Sequence, residues 1–141
     1  MAARGARAAA GDAGGRVSRP EIDAAFDTLR GMRASALLVQ PEAFLKNKRI
    51  VALAARDALP AMYQARELVA AGGLMSYGSS LADMYRQMGV YAGKVLTGAK
   101  PAEMPVLQPI KFEMAVNLQT AKALGRKLSD NLLSLADEVI E

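Results

Sequence analysis

The polar side chains best placed to do chemistry fall in three short groups: Gln40; Tyr63 with Gln64; and Ser76, Tyr77, Gly78 and Ser79, followed by Asp83. Amide, phenol and hydroxyl groups can hydrogen-bond as donors and acceptors, so together they can orient a small polar or zwitterionic ligand. Residues 76–79 offer hydroxyl and backbone donors suited to a carboxylate, and a helix beginning at residue 80 would add the positive end of its dipole. Asp83 fits two roles, balancing a ligand ammonium or stabilising the first turn of that helix. Tyr63 and Tyr77 fit either a cleft or a core in which the hydroxyl is satisfied internally. Taken whole, residues 72–83 also read as an ordinary strand-to-helix connection.

Most catalytic chemistry lacks its residue types. The 141 residues contain no cysteine and no histidine, which removes disulfides, thiolate chemistry, the usual general base and the commonest metal ligand. Gly89 to Val95 faintly resembles a phosphate loop, but three residues separate its glycines, where the loop needs four. No acidic run has the spacing of a calcium loop. We expect a binder, not an enzyme, with no cofactor and no metal.

The charge does not point to nucleic acid. Residues 1–20 carry a balance of +3 (Arg4, Arg7, Arg16 and Arg19 against Asp12), leaving +1 of the net +4 for the other 121 residues. A basic tail is not a nucleic-acid-binding face. The Ala/Gly/Arg composition of residues 1–19 predicts a flexible tail, and that segment does not read as a secretory signal peptide. No apolar run approaches the roughly 18–20 residues of a membrane span.

The elements that must position the polar groups alternate. Ser18 and Glu21 match a capping box, and Ile22, Ala25, Phe26 and Leu29 repeat at helical spacing up to Gly31. Residues 35–40 read as a buried strand, 42–57 as a helix with Phe44, Ile50, Val51, Leu53 and Ala54 inward, and 59–63 as a second strand. A short helix over 64–71, a glycine turn and a third strand follow. Such alternation implies a parallel sheet flanked by helices, a partial doubly wound α/β unit. Its strand ends would bring Gln40, Tyr63, Gln64 and residues 76–78 to one edge.

Residues 80–96 form the longest predicted helix, with Leu81, Met84, Tyr85, Met88, Ala92, Val95 and Leu96 on one apolar face. Gly89 and Gly93 on it predict close packing against a neighbouring strand or helix. A stiff connector with Pro101, Pro105 and Pro109 leads to a strand over 111–117, whose alternation predicts an edge or half-exposed position. A short helix over 120–124 follows, and 130–140 closes the chain with Leu132, Leu133, Leu135, Ala136 and Val139 inward.

Several blocks in order carry a family resemblance. Residues 59–63, 66–78 and 81–85 (LPAMY, RELVAAGGLMSYG, LADMY), then 98–101, 105–109, 111–113, 117–125 and 136–141, resemble the periplasmic substrate-binding proteins of ABC transporters. The likeness is to the branch with tryptophan- and other aromatic amino-acid-binding members, and it covers roughly residues 20–141. It implies two α/β lobes of the type I periplasmic-binding fold, closing over a ligand and docking on an ABC permease. This chain would correspond to the C-terminal half: most of one lobe plus a helix, 80–96, from the other. The cleft residues implied are Gln40, Tyr63, Gln64, Ser76, Tyr77, Gly78, Ser79 and Asp83.

The departures from the family pattern carry their own expectations. The first lobe and export signal are missing, Gln64-Ala65 replaces a frequent aromatic, and residues 126–131 lack the usual paired prolines. They imply weakened ligand binding, a periplasmic location only by resemblance, and self-association through the uncovered helix 81–96. A ligand-sensing or protein-interaction domain of a regulator is the alternative with the same fold.

Overall fold

The computed structural model describes residues 19–40 and 48–141. The predicted capping box at Ser18, the tail before it, and the start of the second helix at residues 41–47 lie outside the described residues. Helix α1 (Arg19–Gly31) places Ile22, Phe26 and Leu29 in the core at helical spacing. Helix α2 (Lys48–Arg56) answers with Ile50, Val51, Leu53 and Ala54. Arg49 donates to both oxygens of Asp23, at 3.0 and 2.5 Å, and so ties the two helices on their solvent side.

The strands are β1 (Leu37–Leu38), β2 (Ala61–Tyr63), β3 (Met75–Ser79), β4 (Phe112–Asn117) and β5 (Glu138–Ile140). They form one sheet in the order β1-β2-β3-β4-β5, an α/β arrangement with helices flanking mostly parallel strands. Leu37 aligns with Ala61 and Met62 with Met75, both in parallel pairs. β1 is shorter than the run 35–40 predicts because only one side of it is paired: Leu37 and Val39 donate to the carbonyls of Pro60, just before β2, and of Met62 on it. Between β2 and β3, helix α3 (Arg66–Ala70) buries Leu68 and Val69. Gly72, at a φ of 105°, then makes the turn that glycine alone tolerates cheaply.

Helix α4 (Leu81–Leu96) leaves the sheet at the end of β3, with Ser80 capping its first turn. The chain comes back at the same edge. The Ser80 N–H donates to the Lys111 carbonyl at 2.9 Å, and Ser79 aligns with Phe112. A strand that starts where its neighbour ends must run the other way, so β4 is antiparallel to β3. Helices α5 (Leu118–Ala123) and α6 (Asp130–Ser134) then lead to β5, parallel to β4.

Three expectations are corrected. Of the two positions expected for it, β4 does not take the edge but lies between β3 and β5; it is half-exposed along its length, from Phe112 at the open end to the buried Ala115 to Asn117. The closing segment breaks after α6 into a strand, leaving Leu135 and Val139 exposed instead of inward. Gly89 and Gly93 pack against nothing: a Cβ on either would meet no atom within 4 Å. No residue of helix α4 is fully buried. Among the described residues, no helix is long and apolar enough to cross a membrane.

Candidate ligand-binding cleft

A cavity of about 780 Å³ opens where β1, β2 and β3 end and β4 and β5 begin. Of the predicted residues, it brings together Gln40, Gln64, Ser76, Gly78 and Ser79. Ser76 and Gly78 point to one face of β3 and form the floor, following the period of two. Ser76 is only 2% exposed. Gly78 is buried under Gln64, whose backbone carbonyl crosses directly above it. The first turn of α4, through Leu81 and Ala82, makes one wall, and residues 64–68 make the other.

The remaining three predicted residues sit elsewhere. The Tyr63 ring turns back toward Gly73 and is 1% exposed; burial pushes its hydroxyl up to about 12. It lines a smaller cavity of about 290 Å³ at the opposite ends of β2 and β3. Tyr77 projects from the other face of β3 and stacks on Phe112, ring centroids 5.6 Å apart. Asp83 accepts from Arg86 at 2.8 Å and Gln87 at 2.5 Å, and these bonds hold its carboxyl below the usual range. Its backbone N–H donates to the Ser80 hydroxyl, so its place is in the helix start.

Charged residues that the strand-end reading missed complete the cleft. Arg66 donates through Nε to Glu138 at 2.7 Å, with a second contact from the same guanidinium. That hydrogen bond lowers the Glu138 carboxyl and raises the Arg66 guanidinium. Lys111 stands 3.5 Å from Glu113, and Asp137 accepts from the Met114 N–H at 2.7 Å. The sequence did hold a signal for them: blocks 111–113 and 136–141 carried the family resemblance. Their place at the cleft was hidden because it depends on β4 running back antiparallel from the end of β3 and on β5 beside it, neither of which was foreseen.

A strand-end cleft on a mixed sheet, walled on one side by an outgoing helix, defines one lobe of a periplasmic-binding-protein fold. The family model described as ABC transporter substrate binding protein matches residues 18–140, and the chain belongs to that family. It is similar to the ABC domain in complex with L-Trp from Streptococcus pneumonia, at 26% identity and a TM-score of 0.78, covering 87% of this chain and 42% of that one. A conserved domain protein from Vibrio cholerae O1 biovar eltor is similar at 17% identity and a TM-score of 0.74, over 85% of this chain and 41% of that one. A ligand-free, open substrate binding protein with adhesive properties from Clostridium difficile gives 21% identity and a TM-score of 0.61, over 89% and 42%. The last two likenesses concern the fold alone. The chain thus spans about 42% of the length of the first structure it matches. A comparison with curated protein sequences returns no significant match.

Proposed function

We propose that this chain is the ligand-holding lobe of an ABC importer's solute-binding component, taking a small polar ligand such as an amino acid in the strand-end cleft. The observation that carries the reading is Ser76, a residue only 2% exposed that lines the cavity beside Gly78 and the first turn of α4. Its neighbours suit a carboxylate: the Ser79 hydroxyl and the amides of Leu81 and Ala82 that open a 16-residue helix. The L-Trp held by the pneumococcal relative supports an amino acid as the ligand class.

On this reading the protein binds without catalysing, delivers its ligand to a membrane permease, and works on the periplasmic side. The described residues form one side of the cleft, so this chain alone binds weakly. The apolar face of α4, exposed from Tyr85 to Leu96, pairs with a second copy in solution.

Isothermal titration of the purified chain with the common amino acids, beside Ser76→Val, tests the binding role. Saturable binding lost in Ser76→Val, with the melting temperature kept, is the expected result. A folded chain that binds none of them would overturn the reading.

A further inference from the structure

The ion pair between Arg66 and Glu138 crosses the cleft. Arg66 opens α3 on the 64–68 wall, Glu138 opens β5, and both line the cavity. Glu138 aligns with Ala115 and Ala115 with Ser76, so these three share one row across the sheet and one face of it. The side chains of Ser76 and Ala115 are small, which leaves the guanidinium a clear path from the α3 wall to Glu138. Its Nε and one terminal nitrogen each take a separate Glu138 oxygen, the two-pronged geometry in which arginine matches a carboxylate.

The pair is exchangeable. Its side chains are 53% and 39% exposed, and an ion pair in such a setting is worth about 0–1 kcal/mol. Another carboxylate can take the place of Glu138 at little cost, because water takes up the released group. The donors suited to a ligand carboxylate lie within reach of the same arginine. The Gln64 carbonyl sits directly above Gly78, one residue before Ser79. Arg66 follows two residues after Gln64, about 7 Å of chain. A turn of its side chain away from Glu138 brings the guanidinium toward Ser79, Leu81 and Ala82, at the other wall of the cavity.

We infer that Arg66 is the residue by which the cleft selects a free carboxylate, and that Glu138 occupies Arg66 until the ligand arrives. This rests on the reading of the cleft as an amino-acid site and deepens it. Arg66 makes the specifying contact; Glu138 is a positioning residue and a built-in competitor that acts through Arg66. An α-amino acid enters as a zwitterion at neutral pH, so its arrival adds no net charge beside Glu67, Glu113 and Asp137. Glu113 and Asp137 keep their own partners, Lys111 and the Met114 N–H.

The test is a titration of the chain with the common L-amino acids, each beside its α-carboxamide, repeated for Arg66→Gln, Glu138→Gln and the double variant. An amino acid that binds should do so at least about tenfold more tightly than its amide. Arg66→Gln should remove that preference. Glu138→Gln should tighten binding of the acid about three- to fivefold and leave the amide unchanged. The double variant should behave as Arg66→Gln does, since the two residues act as one unit, with melting curves confirming that all three fold. An acid-over-amide preference that survives in Arg66→Gln, or a Glu138→Gln protein that binds the acid no more tightly, overturns the inference and leaves the amino-acid site standing. Binding of no amino acid removes both.

Discussion

Gly78 lies directly beneath the backbone carbonyl of Gln64: a Cβ added to Gly78 would come within 2.3 Å of that oxygen and 2.6 Å of the Gln64 Cγ. The first contact is with backbone, so a rotamer change cannot relieve it. Gly78→Ala must push the segment after β2 away from β3, and that segment is a wall of the cleft. Overpacking of this kind costs about 1–3 kcal/mol. We expect a lower urea midpoint together with ligand binding weakened beyond what the stability loss explains. Unchanged binding in the folded variant would mean that the 64–68 wall does not touch the ligand.

Asn117 joins three elements in the same way. Its side-chain oxygen accepts from Thr120 N–H at 2.9 Å, capping α5, and its Nδ2 donates to the Val69 carbonyl at 3.2 Å, holding α3 to β4. The residue is 5% exposed, so its loss leaves buried groups unpaired. Asn117→Ala should cost between about 1 and 3 kcal/mol. Asn117→Asp keeps the cap acceptor and loses the donor. Comparing the two by urea unfolding separates the cap from the tie.

How far the sequence revealed this depended on whether the signal was local. The alternation from Ile22 to Gly78 fixed helices and parallel strands because each apolar run needs cover from its chain neighbours. Gln40, Gln64, Ser76, Gly78 and Ser79 converge for the same reason: parallel strands end at one edge. Tyr63 also ends a strand, but its ring follows the space left by Gly73, a contact that periodicity does not encode. Met114 and Val116 alternate as in an edge strand, yet β4 is interior. Its second neighbour, β5, comes from residues 138–140, where three residues are too few to show a period. Asp137 and Glu138 were lost to the cleft with it.

The Arg66–Glu138 pair predicts an acid limb of defined sign. Hydrogen bonding from Arg66 lowers the folded-state pKa of Glu138. A lowered carboxylate stabilises the fold above its unfolded value, and that contribution is lost as pH falls through the folded value. Both groups are solvent-exposed enough to keep the effect small. In Arg66→Gln, carboxyl-carbon NMR should show Glu138 titrating in the ordinary glutamate range, and the stability profile should lose its Glu138 component below that range. A titration curve for Glu138 identical in both proteins would show that the pair does not form in solution.

The glycines of α4 make the opposite prediction from Gly78. Gly89 and Gly93 have open space where a Cβ would go, so alanine at either position should stabilise the helix by about 0.8–1 kcal/mol through propensity alone. Around them runs an uncharged arc: Leu81, Tyr85, Met88, Val95 and Leu96 are all exposed, Leu96 to 87%. An antiparallel second copy centred on Gly89 would set Tyr85 over Gly93 and Leu96 over Ala82, large side chain over small. If that pairing forms, Gly93→Leu fills the notch and Met88→Lys buries a charge, and both reduce association. Light scattering across a concentration series should show a wild-type mass above one chain, returning to one chain in either variant. A wild-type protein that stays a single chain at every concentration would leave the α4 face without a second copy on it, and the propensity gain in Gly89→Ala as the only consequence of the glycine pair.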